Sequence, residues 1–272
     1  MQGGTFNTKI LGVTLLVFIL SGCASPSPMI LDKDFTGSYV KAPQFTLTTY
    51  QKITKPGDPV RIYIEGDGRA WIRRDILSDN PTPSNPLVAF LAASDDAANI
   101  AYIARPGQYT KNGLAGCDPA YWSDKRFSEE VVSSVNKTID DILLKSTSNK
   151  IELVGYSGGA AIAVLAAARR DDVIGLITIA GNLDTESVNR YNKVSPLKGS
   201  LNPIDYAKDV ANIPQVHYVG SEDKIIPQSV SRDFRKACGT GQDHIVIKVV
   251  AGAGHSYGWR NKWKELIRAI SV

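Results

Sequence analysis

The run Ile151-Glu152-Leu153-Val154-Gly155-Tyr156-Ser157-Gly158-Gly159 constrains this chain more than any other stretch. A short apolar segment ends in G-x-S-x-G, and an alanine-rich helical segment follows. That pattern requires the backbone to leave a strand, turn sharply in a strained conformation and enter a helix, with the serine oxygen exposed above the sheet. Glycines around the serine suit the crowding, because without a Cβ they admit close backbone approach. The amide after the serine is left free to face a developing oxyanion. The run reads as a nucleophile elbow; a glycine-rich turn whose serine only caps the helix at 160–170 is the simpler alternative.

The surroundings fit the first reading. Apolar, β-branched runs recur at 59–64, 99–104, 151–156, 173–180, 215–220 and 244–250, with helices expected at 127–144, 158–170, 228–237 and 259–270. Alternation of this kind builds a mostly parallel sheet. Residues 45–53 alternate polar and apolar and read as an antiparallel edge strand ahead of it, and residues 79–86 as a proline-rich loop. Sites in such sheets gather where βα loops leave the carboxyl ends of the strands, so the partners of Ser157 are sought there.

A serine nucleophile needs a base, and the chain holds three histidines, His217, His244 and His255. His217 lies inside the apolar run Val216-His217-Tyr218-Val219 and reads as a packed strand residue. His244 opens a strand, at the wrong end of the sheet. His255 follows the strand at 245–250 through Ala251-Gly252-Ala253-Gly254, at the right end, and is the expected base. The carboxylate that orients it is best supplied by Asp223, just past the strand ending at Gly220; Asp184 and Glu222 compete. For an oxyanion hole the Gly158 amide needs a companion, and Glu65-Gly66-Asp67-Gly68 follows an early strand. The Asp67 amide is the first candidate and Gly68 the next. A carboxylate there opposes an oxyanion unless paired, so the side chains of Glu65 and Asp67 are expected to turn away or bind arginines such as Arg69 or Arg105.

The order Ser157, Asp223, His255, with the elbow and an H-G-x-G-like loop carrying Glu65 in the histidine's place, resembles the α/β-hydrolase fold serine hydrolases over roughly residues 44–270. The resemblance implies a mostly parallel sheet with helices on both faces and, since the connection at 181–214 is short, a minimal cap. It also implies acyl transfer to Ser157, with a carboxylic ester as the expected substrate. A thioesterase or peptidase would use the same triad, and a non-catalytic envelope scaffold is the alternative from another class. Tyr109, Tyr121 and Trp122 are expected to form an aromatic wall for the substrate.

The N-terminal segment carries Lys9, the apolar run 10–20 and then Leu20-Ser21-Gly22-Cys23. That run is too short for an ordinary transmembrane helix and reads as a secretory signal. Its end resembles a bacterial lipobox, whose cysteine is lipidated after cleavage, anchoring the protein to a membrane. The expected organisation is a signal peptide at 1–22, a lipidated N-terminus and tether at 23–43 and the hydrolase domain at 44–272. By resemblance to diderm lipoproteins, Ala24 and Ser25 after the cysteine imply the outer membrane, facing the periplasm. About 250 residues then remain, enough for one α/β domain.

A net charge of +4, from 31 basic and 27 acidic residues without a concentrated basic run, does not imply nucleic acid. Neither a metal-ligand cluster nor a dinucleotide or phosphate loop is evident, so no metal and no cofactor is expected, and no protein partner is named. Cys117 and Cys238 are expected at opposite ends of the sheet, beyond disulfide reach.

Overall fold

A computed structural model describes residue 1, residue 31 and residues 34–110, 117–241 and 243–269. Residues 2–30, with the expected signal sequence and Cys23, lie outside the described residues. The strands are β1 (Thr36–Lys41), β2 (Thr46–Ile53), β3 (Val60–Ile64), β4 (Trp71–Arg73), β5 (Ile76–Leu77), β6 (Asn99–Ile103), β7 (Ile151–Tyr156), β8 (Val173–Ile179), β9 (Gln215–Gly220) and β10 (Ile245–Val250). The helices are α1 (Leu87–Ala93), α2 (Glu129–Ser146), α3 (Gly158–Ala167), α4 (Thr185–Asn192), α5 (Ser229–Cys238) and α6 (Arg260–Arg268).

Eight of these strands form one sheet in the order β1-β2-β6-β3-β7-β8-β9-β10. The pairs β1–β2 and β2–β6 are antiparallel, and from β6 to β10 every neighbour is parallel. With helices packed on both faces, this is the α/β-hydrolase fold. The strand order reverses at β3, which has β6 on one side and β7 on the other. Such a reversal opens a crevice at the carboxyl ends of the strands, and the turn after β7 delivers Ser157 into it.

Central strands are mostly apolar because both of their faces are covered; all five residues of β6 are buried, its Asn99 donating to Lys55 O and Asp58 O. On one face α2, α3 and α5 supply Val131, Val135, Ile139, Ile162, Val164 and Phe234. On the other, α1 and α6 supply Leu91, Trp263 and Ile267, packed on Tyr63, Tyr102 and Tyr218. All ten residues of α3 are buried. Its alanines let it lie close against the sheet on one side and against α2 on the other, as a helix apolar all round must.

Three features depart from the sequence expectations. The sheet begins before residue 44, since β1 lies in the stretch read as tether and pairs with β2 from Thr36↔Gln51 to Lys41↔Thr46. Consequently β2 is antiparallel but is not the edge strand; β1 is. Only Val40 of β1 is buried, so its sequence carries almost no apolar alternation. The β4–β5 hairpin and helices α1 and α4 are additions, each of eight residues or fewer and too short for a periodic signal. For α4 a local cue existed, because the Asp184 side chain accepts from the Ser187 amide at 3.1 Å, as an N-cap should. The connection between β8 and β9 otherwise carries only a short 3₁₀ turn, Pro203–Tyr206, consistent with a minimal cap. Cys117 and Cys238 are not bridged.

Candidate active site

Ser157 has φ 52° and ψ −118°, a region that costs a non-glycine residue of order 1–3 kcal/mol. Long-range backbone bonds hold it there. The Ser157 amide donates to Ile179 O at 3.0 Å, and Ser157 O accepts from Asn182 N at 3.0 Å and Ala160 N at 3.1 Å. The turn also needs glycine where it touches its neighbour. A Cβ on Gly159 would stand 2.3 Å from Ile64 O, at the end of β3. A Cβ on Gly158 would stand 2.0 Å from Asp67 Oδ1. The 65–68 loop is therefore pressed against the elbow.

Parallel pairing of β9 with β10, ending at Gly220↔Val250, brings the two following loops together. The Glu222 amide donates to Ala253 O at 2.9 Å, tying one loop to the other. Across this junction Ser157 Oγ lies 3.1 Å from His255 Nε2, and His255 Nδ1 lies 3.0 Å from Asp223 Oδ2. Asp223 Oδ1 accepts from the amides of Ile225 at 2.8 Å and Ile226 at 2.9 Å. Burial pushes the Asp223 carboxyl up, but the hydrogen bond and charge of His255 and the two amides outweigh it and hold the group below its ordinary value. The buried indole of Trp259 fixes the histidine loop, donating to Gly254 O at 2.9 Å and His255 O at 3.1 Å.

The competing residues are engaged elsewhere. Asp184 caps α4 and accepts from Asn202 Nδ2 at 3.1 Å, and Glu222 accepts from the Tyr257 hydroxyl at 3.0 Å. His217 is buried, with Nδ1 2.8 Å from Thr178 Oγ1 and Nε2 3.1 Å from Gln215 Oε1. Burial, with the charge of Arg235 adding to it, drives its pKa down to about 3 and keeps the ring neutral. His244 Nε2 donates to Ala211 O at 2.7 Å, before the strand end opposite the site.

Helix α3 starts at Gly158, so its first amides, those of Gly158 and Gly159, have no intrahelical acceptor. Beside them, the Asp67 carboxylate is paired with Arg105 at 3.3 Å and Arg126 at 3.2 Å. Arg105 matches the expectation, while Arg126 stands where Arg69 was considered. Both guanidinium groups lie over the Phe127 ring. Gly68 has φ 65° and is hemmed in by Pro81 O and Gln108. Gln108 clamps the loop in place, donating to Gly66 O at 3.0 Å and accepting from the Arg105 amide at 3.1 Å.

Glu65 turns away from the elbow into the core. Its carboxylate accepts from the Gly66 amide and the Tyr102 hydroxyl, each at 2.9 Å. Burial pushes the Glu65 carboxyl up to about 7, against the opposing pull of those two donors and of Arg105. The folded protein thus binds this proton more tightly than the unfolded chain, and Glu65 costs stability as pH rises from about 4.5 to about 7. Glu65→Gln is expected to be more stable than the wild type at pH 8, by up to about 3 kcal/mol, and indistinguishable near pH 4.5. Denaturant midpoints across that range test this, and a pH-independent difference would refute it.

The expected aromatic wall is not what Tyr109, Tyr121 and Trp122 build. Trp122 is buried beneath Gly107 and donates to Ser78 O at 3.0 Å. Tyr109 is buried, and Tyr121 packs edge-on against Phe45 at 4.7 Å. Loop aromatics facing a core edge are taken up by packing, a choice local sequence does not reveal. The ring beside the site is Tyr156, 5.4 Å from His255 and tilted 38° to it. Its signal was present, as the variable residue before the serine in the elbow motif. Among the described residues no group of three His, Cys, Asp or Glu side chains is placed to hold a metal ion.

A model of the dienelactone hydrolase family matches residues 109–265. That span includes Ser157, Asp223 and His255 and leaves out the 65–68 loop. Among solved structures, an alpha-beta serine hydrolase homologue from Coxiella burnetii superposes with a TM-score of 0.61 at 15% identity, over 87% of this chain and 97% of that one. The esterase Pf2001 of Pyrococcus furiosus gives 0.61 at 13% identity, over 86% and 90%. A puromycin-hydrolyzing peptidase from Mycobacterium tuberculosis gives 0.64 at 15% identity, over 86% of this chain and 38% of that one. At such identities the likeness is one of fold. No curated protein matches the chain in sequence.

Proposed function

This chain belongs to the dienelactone hydrolase family, and from that premise we propose that it is a serine hydrolase that cleaves carboxylic esters through an acyl-enzyme on Ser157. The observation that carries this reading is the relay of two contacts, 3.1 Å from Ser157 Oγ to His255 Nε2 and 3.0 Å from His255 Nδ1 to Asp223 Oδ2. Asp223 holds the imidazole with its proton on Nδ1, which leaves the Nε2 lone pair facing the serine hydroxyl.

As Oγ attacks the ester carbonyl, its proton passes to Nε2, and the imidazolium is stabilised by Asp223. The negative charge forming on the carbonyl oxygen is met by the amide of Gly158 and, across the elbow, by that of Asp67. One such donor is worth roughly 10²–10³ in rate. Arg105 and Arg126 matter here because they cancel the Asp67 carboxylate, which would otherwise oppose that charge. His255 then returns its proton to the leaving alcohol, and water, activated by the same imidazole, releases the acyl group. Acylated Cys23 would keep this chemistry at a membrane, on the periplasmic side of the outer membrane.

A panel of p-nitrophenyl esters of increasing chain length, run beside a thioester and an anilide, tests the reading. Turnover of esters in preference to the other two is expected. If none of the three is cleaved and no serine-directed probe reacts, the protein is a scaffold instead.

A further inference from the structure

Eleven large apolar side chains are exposed among the described residues, and five of them sit on three hydrogen-bonded segments, one of which carries Asp223. Trp71 and Ile72 belong to β4, which follows the 65–68 loop. Tyr191 and Val194 bracket the end of α4, and Ile225 lies two residues past Asp223. The segments are joined by hydrogen bonds. Arg74 donates to the carbonyls of Asn192 and Lys193, Asn192 Nδ2 donates to Ile225 O at 2.9 Å, and the Ile225 amide donates to Asp223 Oδ1. The exposed apolar groups therefore lie on one joined patch that is tied to the candidate site through Asp223.

Trp71 is 44% exposed, whereas the other three tryptophans, Trp122, Trp259 and Trp263, are at most 3% exposed. Cations are interleaved with the apolar groups. Arg69, Arg73, Arg74, Arg190, Lys193 and Lys224 are all exposed and outnumber the exposed acidic Asp75, Glu186 and Glu222 on the same segments. The core of a protein interface sheds lysine and other charges. Tryptophan and tyrosine beside arginine and lysine are instead what a headgroup region accepts, the rings at the level of the upper acyl chains and the cations against phosphates.

We propose that this face docks on an anionic phospholipid bilayer, so that esters reach Ser157 from the membrane surface. The role given to the docked site rests on the hydrolase reading, but docking itself is measured without turnover. Because Trp71 is the exposed tryptophan, its emission reports the contact.

The full chain is incorporated in vesicles of phosphatidylethanolamine and phosphatidylglycerol, with and without lipid brominated in the upper acyl chain. Quenching of tryptophan emission by the brominated lipid is expected, and Trp71→Phe should abolish it; a chain held only by its N-terminus keeps Trp71 in water. Arg69→Gln and Arg73→Gln should each lower the docked-to-undocked ratio about fivefold on these vesicles. Quenching that persists in Trp71→Phe, or is indifferent to both arginine changes, would overturn the proposal. So would shielding of Trp71 that grows with protein concentration in the absence of lipid, the sign of a second copy on this face. Esterase failure with quenching intact strikes the hydrolase reading alone, and turnover without quenching strikes docking alone.

Discussion

Replacing Ser157 with alanine is expected to abolish covalent labelling by a fluorophosphonate probe and to lower ester turnover on the order of a million-fold, the scale reached when a serine hydrolase loses its nucleophile. The prediction is clean because little else changes. The contact of Oγ is with His255 Nε2, while the bonds that hold the turn are made by the Ser157 backbone to Ile179, Asn182 and Ala160. Alanine keeps the Cβ and meets the same strain at φ 52°, so thermal stability should stay near that of the wild type. Substrate binding should survive, since the amides of Gly158 and Asp67 remain. Wild-type labelling of the alanine variant would remove Ser157 from the mechanism.

The second large effect is expected from Asp223→Asn. Asp223 Oδ1 accepts two backbone amides, those of Ile225 and Ile226, and Oδ2 accepts from His255. An asparagine can meet both amides only by placing its carbonyl oxygen there, which turns its NH₂ group toward His255. The ring must then accept at Nδ1 and carry its proton on Nε2, where it cannot take the serine proton. A fall in kcat of about 10⁴-fold is expected, the size of the same tautomer error in the serine proteases, with fold and KM little changed. Asp184→Asn is the matched control. Its Oδ1 caps α4 and accepts from Asn202, roles an asparagine oxygen fills equally well, so both stability and catalysis should stay near those of the wild type. If Asp184→Asn were the inactive variant and Asp223→Asn the active one, the acid would be misassigned.

The legible parts of the fold were those whose pattern is set locally. Strands β7 and β9 begin and end where the sequence runs place them, because a parallel strand covered on both faces is mostly apolar, and the polar Gln215 and His217 of β9 are paired with each other inside. The elbow was legible for a related reason, since few sequences tolerate a positive φ at serine with a neighbouring backbone 2.3 Å from where a Cβ would stand. Edge strand β1, with one buried residue, and α1, with seven residues in all, offered no comparable signal.

Sequence alone determined the βα alternation, the serine at the end of β7 and the one histidine at the matching end of the sheet. Each follows from backbone periodicity, turn chemistry or simple scarcity of residue type. Tertiary structure decided the rest. It set Asp223, and not Asp184, against His255 through the pairing of β9 with β10, sent Glu65 inward to Tyr102, set Arg126 beside Arg105 on Asp67, and packed Trp122 beneath Gly107 instead of leaving it in the cleft. These are pairings between distant segments, and their outcome depends on which surfaces the sheet order brings together and on which polar groups find partners once buried.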